Sequence, residues 1–140
     1  MAVADTAPAA VLDASALMAL LHREEGAPAV IEAIEAGAAI SVVNWAEVLS
    51  KLAERGEEPG IVAAQLRRAE GSQTVLAIEP LSEEDCVEVA RLRPRTRVAG
   101  LSLADRACLA LAARLEVPAL TADQAWTELD AVGVAVKLIR

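Results

Sequence analysis

At 140 residues the chain has the length of one ordinary globular domain, and 55% of its residues are apolar, which excludes an extended disordered protein. There is no Phe or Tyr and there are only two Trp residues, Trp45 and Trp126, so the core must be mainly aliphatic. The net charge of -8 argues against nucleic-acid binding through a broad basic surface.

The opening residues, 1–10, contain Ala, Pro and Asp5 but neither a basic start nor a long apolar run. We expect a frayed leader over residues 1–8 of a single domain spanning 1–140, and not a signal peptide. No later segment is long and apolar enough to span a membrane. Cys86 and Cys108 lie far apart in helical patterns, which favours buried free thiols in a reducing cytoplasm over a disulfide or a metal motif.

Short apolar runs of strand type alternate with helical patterns along the chain. The predicted strands are residues 10–12, 39–43, 74–78, 118–121 and 134–139. The clearest helix begins at Trp45 and ends at Gly56, and a second, 103–115, stops before Pro118. Weaker helical patterns cover residues 16–23, 28–36, 60–70, 83–93 and 124–131. Together these elements predict an α/β domain with three layers, α/β/α, around a mainly parallel central sheet of about five strands.

Four acidic residues occupy positions that this architecture makes functional candidates. Asp13 follows the first predicted strand and Asp123 follows the fourth, while Glu47 and Asp105 lie in the first turns of the two clearest helices. Open parallel sheets bind ligands in the crevice beyond the carboxyl ends of their strands. We therefore expect these four carboxylates to share one crevice.

Each of these residues also has a plain structural interpretation. Asn44 to Glu47 and Ser102 to Asp105 have the spacing of a capping box, and Asp13 and Asp123 could be simple N-caps. Caps alone do not explain why acidic residues recur at the ends of strands that share a crevice. Clustered carboxylates need a shared proton or a cation, and hard ions such as Mg²⁺ and Mn²⁺ prefer oxygen ligands. No His or Cys cluster in the sequence indicates zinc.

The motifs at residues 11–17, 44–47, 101–105 and 120–123 resemble those of PIN-domain ribonucleases, and most closely the VapC-type toxins of bacterial toxin–antitoxin pairs. The resemblance covers nearly the whole chain, in order and at fitting separations. It implies a PIN-like α/β/α fold and a cytoplasmic endoribonuclease that hydrolyses RNA with one or two Mg²⁺ or Mn²⁺ ions. It also implies a homodimer and a cognate VapB-type antitoxin that blocks the active site with a peptide segment. The apolar helical stretches 16–21, 30–34 and 62–66 could form a groove for such a peptide, or an ordinary core.

The same resemblance assigns roles to individual residues. It makes Asp13 and Asp105 direct metal ligands, Asp123 a ligand or a carboxylate acting through water, and Glu47 the orienter of the attacking water or an outer ligand. Polar support falls to Ser15, Asn44 and Thr121. Ser15 and Thr121 are expected to orient carboxylates and not to act as nucleophiles, because no base lies beside them in the sequence.

The remaining charged and aromatic residues allow two interpretations each. Arg93, Arg95 and Arg97, with Arg106, could draw the RNA backbone toward the metal, or could simply be a solvated helix end. Lys51 is most simply an i,i+4 partner of Glu47, but it could also face the substrate. Trp126 could stack on a base, although a core role is favoured because the chain has so few aromatic residues.

Three other kinds of protein remain as alternatives. A non-catalytic PIN-like interaction module would share the fold without the chemistry. A receiver-like phosphoacceptor domain would require an acidic pair before its first helix, but Val11 and Leu12 precede Asp13. A haloacid-dehalogenase-like phosphatase would require a second Asp where this chain has Ser15.

Overall fold

The structure, a computed structural model, describes residues 7–69, 76–129 and 132–140. Its centre is a parallel sheet of five strands in the order β3-β2-β1-β4-β5. The strands are β1 Ala10–Leu12, β2 Ala38–Ser41, β3 Leu76–Glu79, β4 Ala119–Thr121 and β5 Val136–Leu138. β1 is the central strand, and Val11 pairs with Ala39 on one side and Ala119 on the other. The predicted five-stranded α/β fold is confirmed.

Six α-helices cover the sheet. They are α1 Ala14–Leu21, α2 Ala27–Ala36, α3 Val42–Glu54, α4 Pro59–Ala69, α5 Glu83–Thr96 and α6 Leu103–Leu115. Successive strand residues point to opposite faces, so Leu12 packs in a core with α1 to α4, while Val11 packs in a second core with α5 and α6. The domain therefore has three layers, and helices bury both faces of the sheet.

The two cores are aliphatic, as the composition predicts. Trp126 is the largest fully buried side chain, at 1% exposure, which confirms its core role. Cys108 is buried on α6 as expected, but Cys86 is exposed on α5, so the prediction of a buried thiol there was wrong. Cys86 lies within the predicted helix 83–93, but the helical pattern alone could not show which face of α5 meets the core.

The boundary between β2 and α3 differs from the prediction of a strand over 39–43. Val42 and Val43 favour a strand by their branching, but the Ser41 hydroxyl accepts the Asn44 N–H at 3.0 Å and caps a helix that begins at Val42. Glu47 therefore lies in the second turn of α3 and not in its first. The capping box predicted for Asn44 and Glu47 is consequently wrong.

Other boundaries also moved. In place of the helix predicted for 124–131 there is a short 3₁₀ helix, Gln124–Glu128, and residues 130 and 131 lie outside the described residues. α5 continues through Pro94 to Thr96 instead of ending at Arg93. Residues 1–6 of the expected leader, 74–75 of the third predicted strand and Glu70 of the fourth helix also lie outside the described residues. Within the described ranges, no helix is long and apolar enough to cross a membrane.

α5 and α6 form an antiparallel helical hairpin. The Arg114 guanidinium near the end of α6 binds the Asp85 carboxylate at the start of α5, at 3.0 Å. The Arg106 guanidinium in the first turn of α6 donates to the Val89 carbonyl oxygen in the middle of α5 at 2.9 Å. Because only residues 97–102 join the two helices, and the Leu101 N–H donates to the Thr96 carbonyl, the last turn of α5 lies close to the first turn of α6.

Two glycines with positive φ angles flank α2, and only one of them is crowded. Gly26 has φ 95° and Gly37 has φ 97°. A Cβ on Gly26 would lie 2.7 Å from the Ile139 carbonyl oxygen, whereas nothing lies within 4 Å of a Cβ on Gly37. Gly26 therefore allows the α1–α2 loop to contact the C-terminal segment after β5.

We predict that Gly37→Ala lowers the free energy of unfolding by about 1 kcal/mol, the cost of a left-handed backbone for a residue with a Cβ. Gly26→Ala adds a clash with backbone and should cost at least about 1 kcal/mol more. Urea unfolding of both variants measures the difference. Equal losses would show that the contact with Ile139 does not constrain the loop.

Candidate functional site

Asp13 lies at the carboxyl end of the central strand, where its side chain caps α1. It is only 3% exposed. Its Oδ1 accepts the Ala16 N–H at 2.8 Å and the Ser15 hydroxyl at 2.7 Å, and its Oδ2 accepts the Thr121 hydroxyl at 2.6 Å. The predicted N-cap role is confirmed, and the carboxylate is held at a fixed orientation from two sides.

Ser15 and Thr121 are committed to orienting Asp13. Each hydroxyl has a single proton and donates it to the Asp13 carboxylate. Their oxygens in turn accept backbone N–H groups, Ser15 from Ala122 at 2.9 Å and Thr121 from Asp123 at 3.0 Å. Thr121 thus connects Asp13 to the segment that carries Asp123.

The environment of Asp13 favours its protonated form when no cation is present. Burial raises the pKa of Asp13 to about 6, although the hydrogen bonds from Thr121, Ala16 and Ser15 act in the opposite direction. The negative charge of Asp105 also raises this pKa. A positive ion beside both carboxylates would remove the penalty.

Asp105 lies in the first turn of α6, in the predicted capping box. Its Oδ2 accepts the Ser102 N–H at 2.9 Å, and the Ser102 hydroxyl accepts the Asp105 N–H at 3.1 Å. Cys108, one turn further along α6, is fully buried, and its thiol has a raised pKa because of burial and the charges of Asp13 and Asp105. The structure therefore brings Asp13 and Asp105 into one electrostatic environment, above a neutral thiol.

Asp123 is exposed, and Glu47, like Asp105, is half-buried. Asp123 caps the 3₁₀ helix, with its Oδ1 accepting the Ala125 N–H at 2.9 Å. Glu47 is 35% exposed, and its Oε2 lies 4.0 Å from the Lys51 ammonium, as the i,i+4 spacing predicts. Neither carboxylate has a described contact with Asp13 or Asp105.

The donor set fits a hard divalent cation in its chemistry. Among the described residues, no group of three or more His, Cys, Asp and Glu side chains is already arranged to hold a metal. Asp13 nevertheless keeps one acceptor position on Oδ2, because a carboxylate offers about four such positions and its described hydrogen bonds use three. Asp13 and Asp105 are thus the residues that could hold Mg²⁺ or Mn²⁺, with oxygen as the only ligand type.

The arginines divide into two groups. Arg93, Arg95 and Arg97 are exposed at the end of α5, beside the first turn of α6, and no ion pair of theirs occurs within the described part of the chain. Arg106 differs from them, because its guanidinium donates to the α5 backbone and its buried Nε has no partner among the described residues.

The sequence as a whole matches the family model of the PIN domain over residues 10–132. The chain belongs to the PIN-domain family. Proteins of curated function give no match to the sequence.

Several solved structures share this PIN fold. A toxin–antitoxin complex from Klebsiella pneumoniae contains a chain of 22% identity and TM-score 0.68, covering 94% of this chain and 98% of that one. FitAcB from Neisseria gonorrhoeae has 21% identity and TM-score 0.65, covering 91% and 95%. VapBC-5 of the VapBC toxin–antitoxin family, from Mycobacterium tuberculosis, has 27% identity and TM-score 0.58, covering 95% and 99%.

Sequence reasoning missed two features of the site. Ser41, which caps α3 and donates its hydroxyl proton to the Asn44 side-chain oxygen, was part of a predicted strand. Asn44 is completely buried and its amide binds the Ala104 carbonyl on α6 at 3.1 Å. Ser41, three residues before Asn44 and four before Trp45, was the available signal for an earlier helix start.

We predict that Asp13→Asn stabilises the metal-free protein at neutral pH. Because the pKa of Asp13 is raised to about 6 from 3.8, the folded state binds its proton more tightly, and stability falls as pH rises between these values. Above about pH 6 the penalty is on the order of 3 kcal/mol. The uncharged amide avoids this penalty and can still accept the Ala16 N–H.

Urea unfolding of both proteins in EDTA checks this prediction across a pH series. The variant should be more stable by roughly 2 kcal/mol near neutral pH, after allowing for its imperfect hydrogen bonds. The two proteins should converge below about pH 4, where the wild-type carboxyl is protonated in both states. A difference that does not change with pH would contradict the buried-charge explanation.

Proposed function

We propose that this PIN-domain protein is a Mg²⁺- or Mn²⁺-dependent endoribonuclease and acts as the toxin of a toxin–antitoxin pair. The observation that carries the proposal is the buried Asp13 carboxylate, oriented by hydroxyls and electrostatically coupled to Asp105. Such an arrangement is unfavourable alone and favourable with a cation, as expected of a metal centre.

Phosphodiester hydrolysis needs an attacking water, relief of phosphate charge and a stabilised leaving oxygen. Asp13 and Asp105 would hold a divalent cation, which would supply positive charge for all three. Ser15 and Thr121 keep Asp13 aimed at the cation position, and Ser102 does the same for Asp105. Asp123 at the exposed rim adds a ligand or binds through water. We assign Glu47 on α3 to orient the attacking water; its Oε2 lies 4.0 Å from the Lys51 ammonium, and both side chains are partly exposed.

The proposed toxin role is supported by the proteins that share this fold. The similar structures from Klebsiella pneumoniae and Mycobacterium tuberculosis are of toxin–antitoxin systems. A groove of about 210 Å³ between α1, α3 and α4 has both apolar and polar walls, lined by Leu21, Leu52, Val62 and Leu66 and by His22, Glu57 and Gln65. An amphipathic peptide segment of a VapB-type antitoxin would suit such a surface. We propose that the toxin is cytoplasmic and forms a homodimer. Light scattering of the purified protein tests the oligomeric state.

Cleavage of a mixed pool of structured RNAs tests the enzymatic proposal. Purified protein freed of antitoxin should cut at a few defined positions with Mg²⁺ or Mn²⁺ and not with EDTA. Asp13→Asn and Asp105→Asn should each lower the rate at least ~100-fold. Both amides keep an acceptor for their helix caps, so both variants should fold. Glu32→Gln, an exposed carboxylate on α2, is the matched control and should retain full activity.

A non-catalytic interaction module remains the second candidate, because no group of three acidic ligands is preassembled among the described residues. It predicts no cleavage by folded wild-type protein in either metal, and a fully active Asp13→Asn protein would also reject the proposed site.

We predict that the exposed arginines of α5 bind the RNA backbone. Replacing Arg93, Arg95 and Arg97 by Gln should raise KM for RNA and leave kcat nearly unchanged. The slope of log(kcat/KM) against log[salt] should flatten by about 2, since each single-strand phosphate contact contributes about 0.7.

The control for this prediction removes three charges elsewhere, by replacing Arg23, Arg55 and Lys137 with Gln. Net charge is then the same in both triple variants. If both flatten the salt slope equally, the effect is one of overall charge and the α5 cluster is not a specific contact.

A further inference from the structure

We infer that Asn44 is a positioning residue, which holds the first turn of α6 against the first turn of α3 and thereby places Asp105 beside Asp13. The inference rests on the metal centre of the proposed function. It assigns to Asn44 an action on cation affinity that passes through Asp105, without contact between Asn44 and the cation.

The Asn44 side chain is a polar link between two helices that are distant in sequence. It is completely buried, at 0% exposure. Its Nδ2 donates to the Ala104 carbonyl oxygen at 3.1 Å, across 60 positions of sequence. Its Oδ1 accepts the Ser41 hydroxyl at 2.5 Å, while the Ser41 oxygen accepts the Asn44 N–H at 3.0 Å. The contacts with Ser41 therefore fix the orientation of the amide that binds α6.

The acceptor of this link is the residue immediately before Asp105. The Asp105 side chain is in turn locked to Ser102 by the capping box. The first turn of α6 thus moves as a unit, and a displacement of Ala104 carries the Asp105 carboxylate with it. In an α-helix the Ala104 carbonyl also has an acceptor role toward the residue four positions later. The Asn44 contact is consequently not needed to form α6, only to locate it.

Glu47 lies three residues after Asn44, on the same side of α3. The buried Asn44 amide therefore adds a directional polar contact to the apolar packing of Val43 against the cluster that contains Ala107, and so helps to fix the relation between the two helices that carry Glu47 and Asp105. Asp13 and Asp123 do not depend on it, because strand pairing and Thr121 hold their segments.

A purely structural role for Asn44 predicts something different. The loss of a buried hydrogen bond would then destabilise the whole domain without a specific effect on Asp105. Thr96 provides a matched control: it is also 0% exposed, and its hydroxyl donates to the Leu92 carbonyl at 2.8 Å within α5. Thr96→Val removes a buried hydrogen bond and leaves the α3–α6 contact unchanged.

A double-mutant cycle on Mn²⁺ affinity separates the two roles. Mn²⁺ binding to the full chain is followed by electron paramagnetic resonance, without RNA, at a temperature where every variant is folded. Asn44→Leu, of nearly equal volume, should raise the Mn²⁺ Kd at least ~10-fold, the effect typical of residues that orient ligands. In an Asp105→Asn background the same substitution should change Kd by less than about twofold. Thr96→Val should change it by less than about twofold in either background.

Equal losses of affinity in the two backgrounds, or a comparable loss in Thr96→Val, overturn the inference. If Asn44→Leu does not fold, Asn44→Ser replaces it with the same expectations. A coupled cycle in a protein that cleaves no RNA leaves the inference standing and rejects the nuclease. An uncoupled cycle in a protein that cleaves RNA rejects the inference and leaves the nuclease proposal standing. Wild-type protein that binds no Mn²⁺ rejects the metal centre and the inference together.

Discussion

Burial of the Asp13 carboxylate is the constraint on which the rest of the site depends. β1 is the central strand, and the pairing of Leu12 with Leu120 brings the end of β4 level with Asp13. The Asp13 N–H accordingly donates to the Leu120 carbonyl at 3.1 Å, and Thr121 reaches the carboxylate directly. Sheet order thus determines which hydroxyl orients the acid. The hydrogen bonds do not offset the full cost of burying the carboxylate, since the pKa of Asp13 stays raised. A positive charge placed beside Asp13 would therefore stabilise the folded protein.

A cation at Asp13 would reconcile the net charge of -8 with the proposed action on RNA. The acidic residues of α5 occupy its first turn and the basic ones its last, an order that suits the helix dipole by itself. The antiparallel hairpin then carries the basic end to the first turn of α6, where Asp105 lies. In the proposed site, positive charge would be concentrated at the cation and at the arginines near the end of α5, while other basic side chains such as Arg23 and Lys137 are exposed elsewhere.

The sequence predicted the sheet well because each strand is a short run rich in apolar residues, and β1 was placed at its observed bounds. It failed at the start of α3, where the strand preference of Val42 and Val43 opposed a single cap by Ser41. Propensity and capping are of similar size, about 1 kcal/mol, so tertiary packing decided between them. A longer helix was predicted where the structure has the 3₁₀ helix Gln124–Glu128. The apolar Trp126 suited a helical pattern, but it is buried in the core that also contains the strand residues Val11 and Ala119. The four acidic candidates were identified, but not their unequal burial.

The four carboxylates differ in how the fold fixes their positions. Asp13 and Asp123 follow strands, so backbone pairing fixes their segments, and any sequence that forms this sheet will bring those segments together. Asp105 and Glu47 are on helices, whose relation to the sheet depends on side-chain contacts such as that of Asn44 with Ala104. Spacing along the chain contains no record of that contact, because its partners are 60 positions apart and one of them is a backbone carbonyl. If Asn44 positions Asp105 as proposed, a chain that keeps all four acids but loses this buried amide would lose cation affinity, and the acidic residues alone would then be a weak indicator of activity.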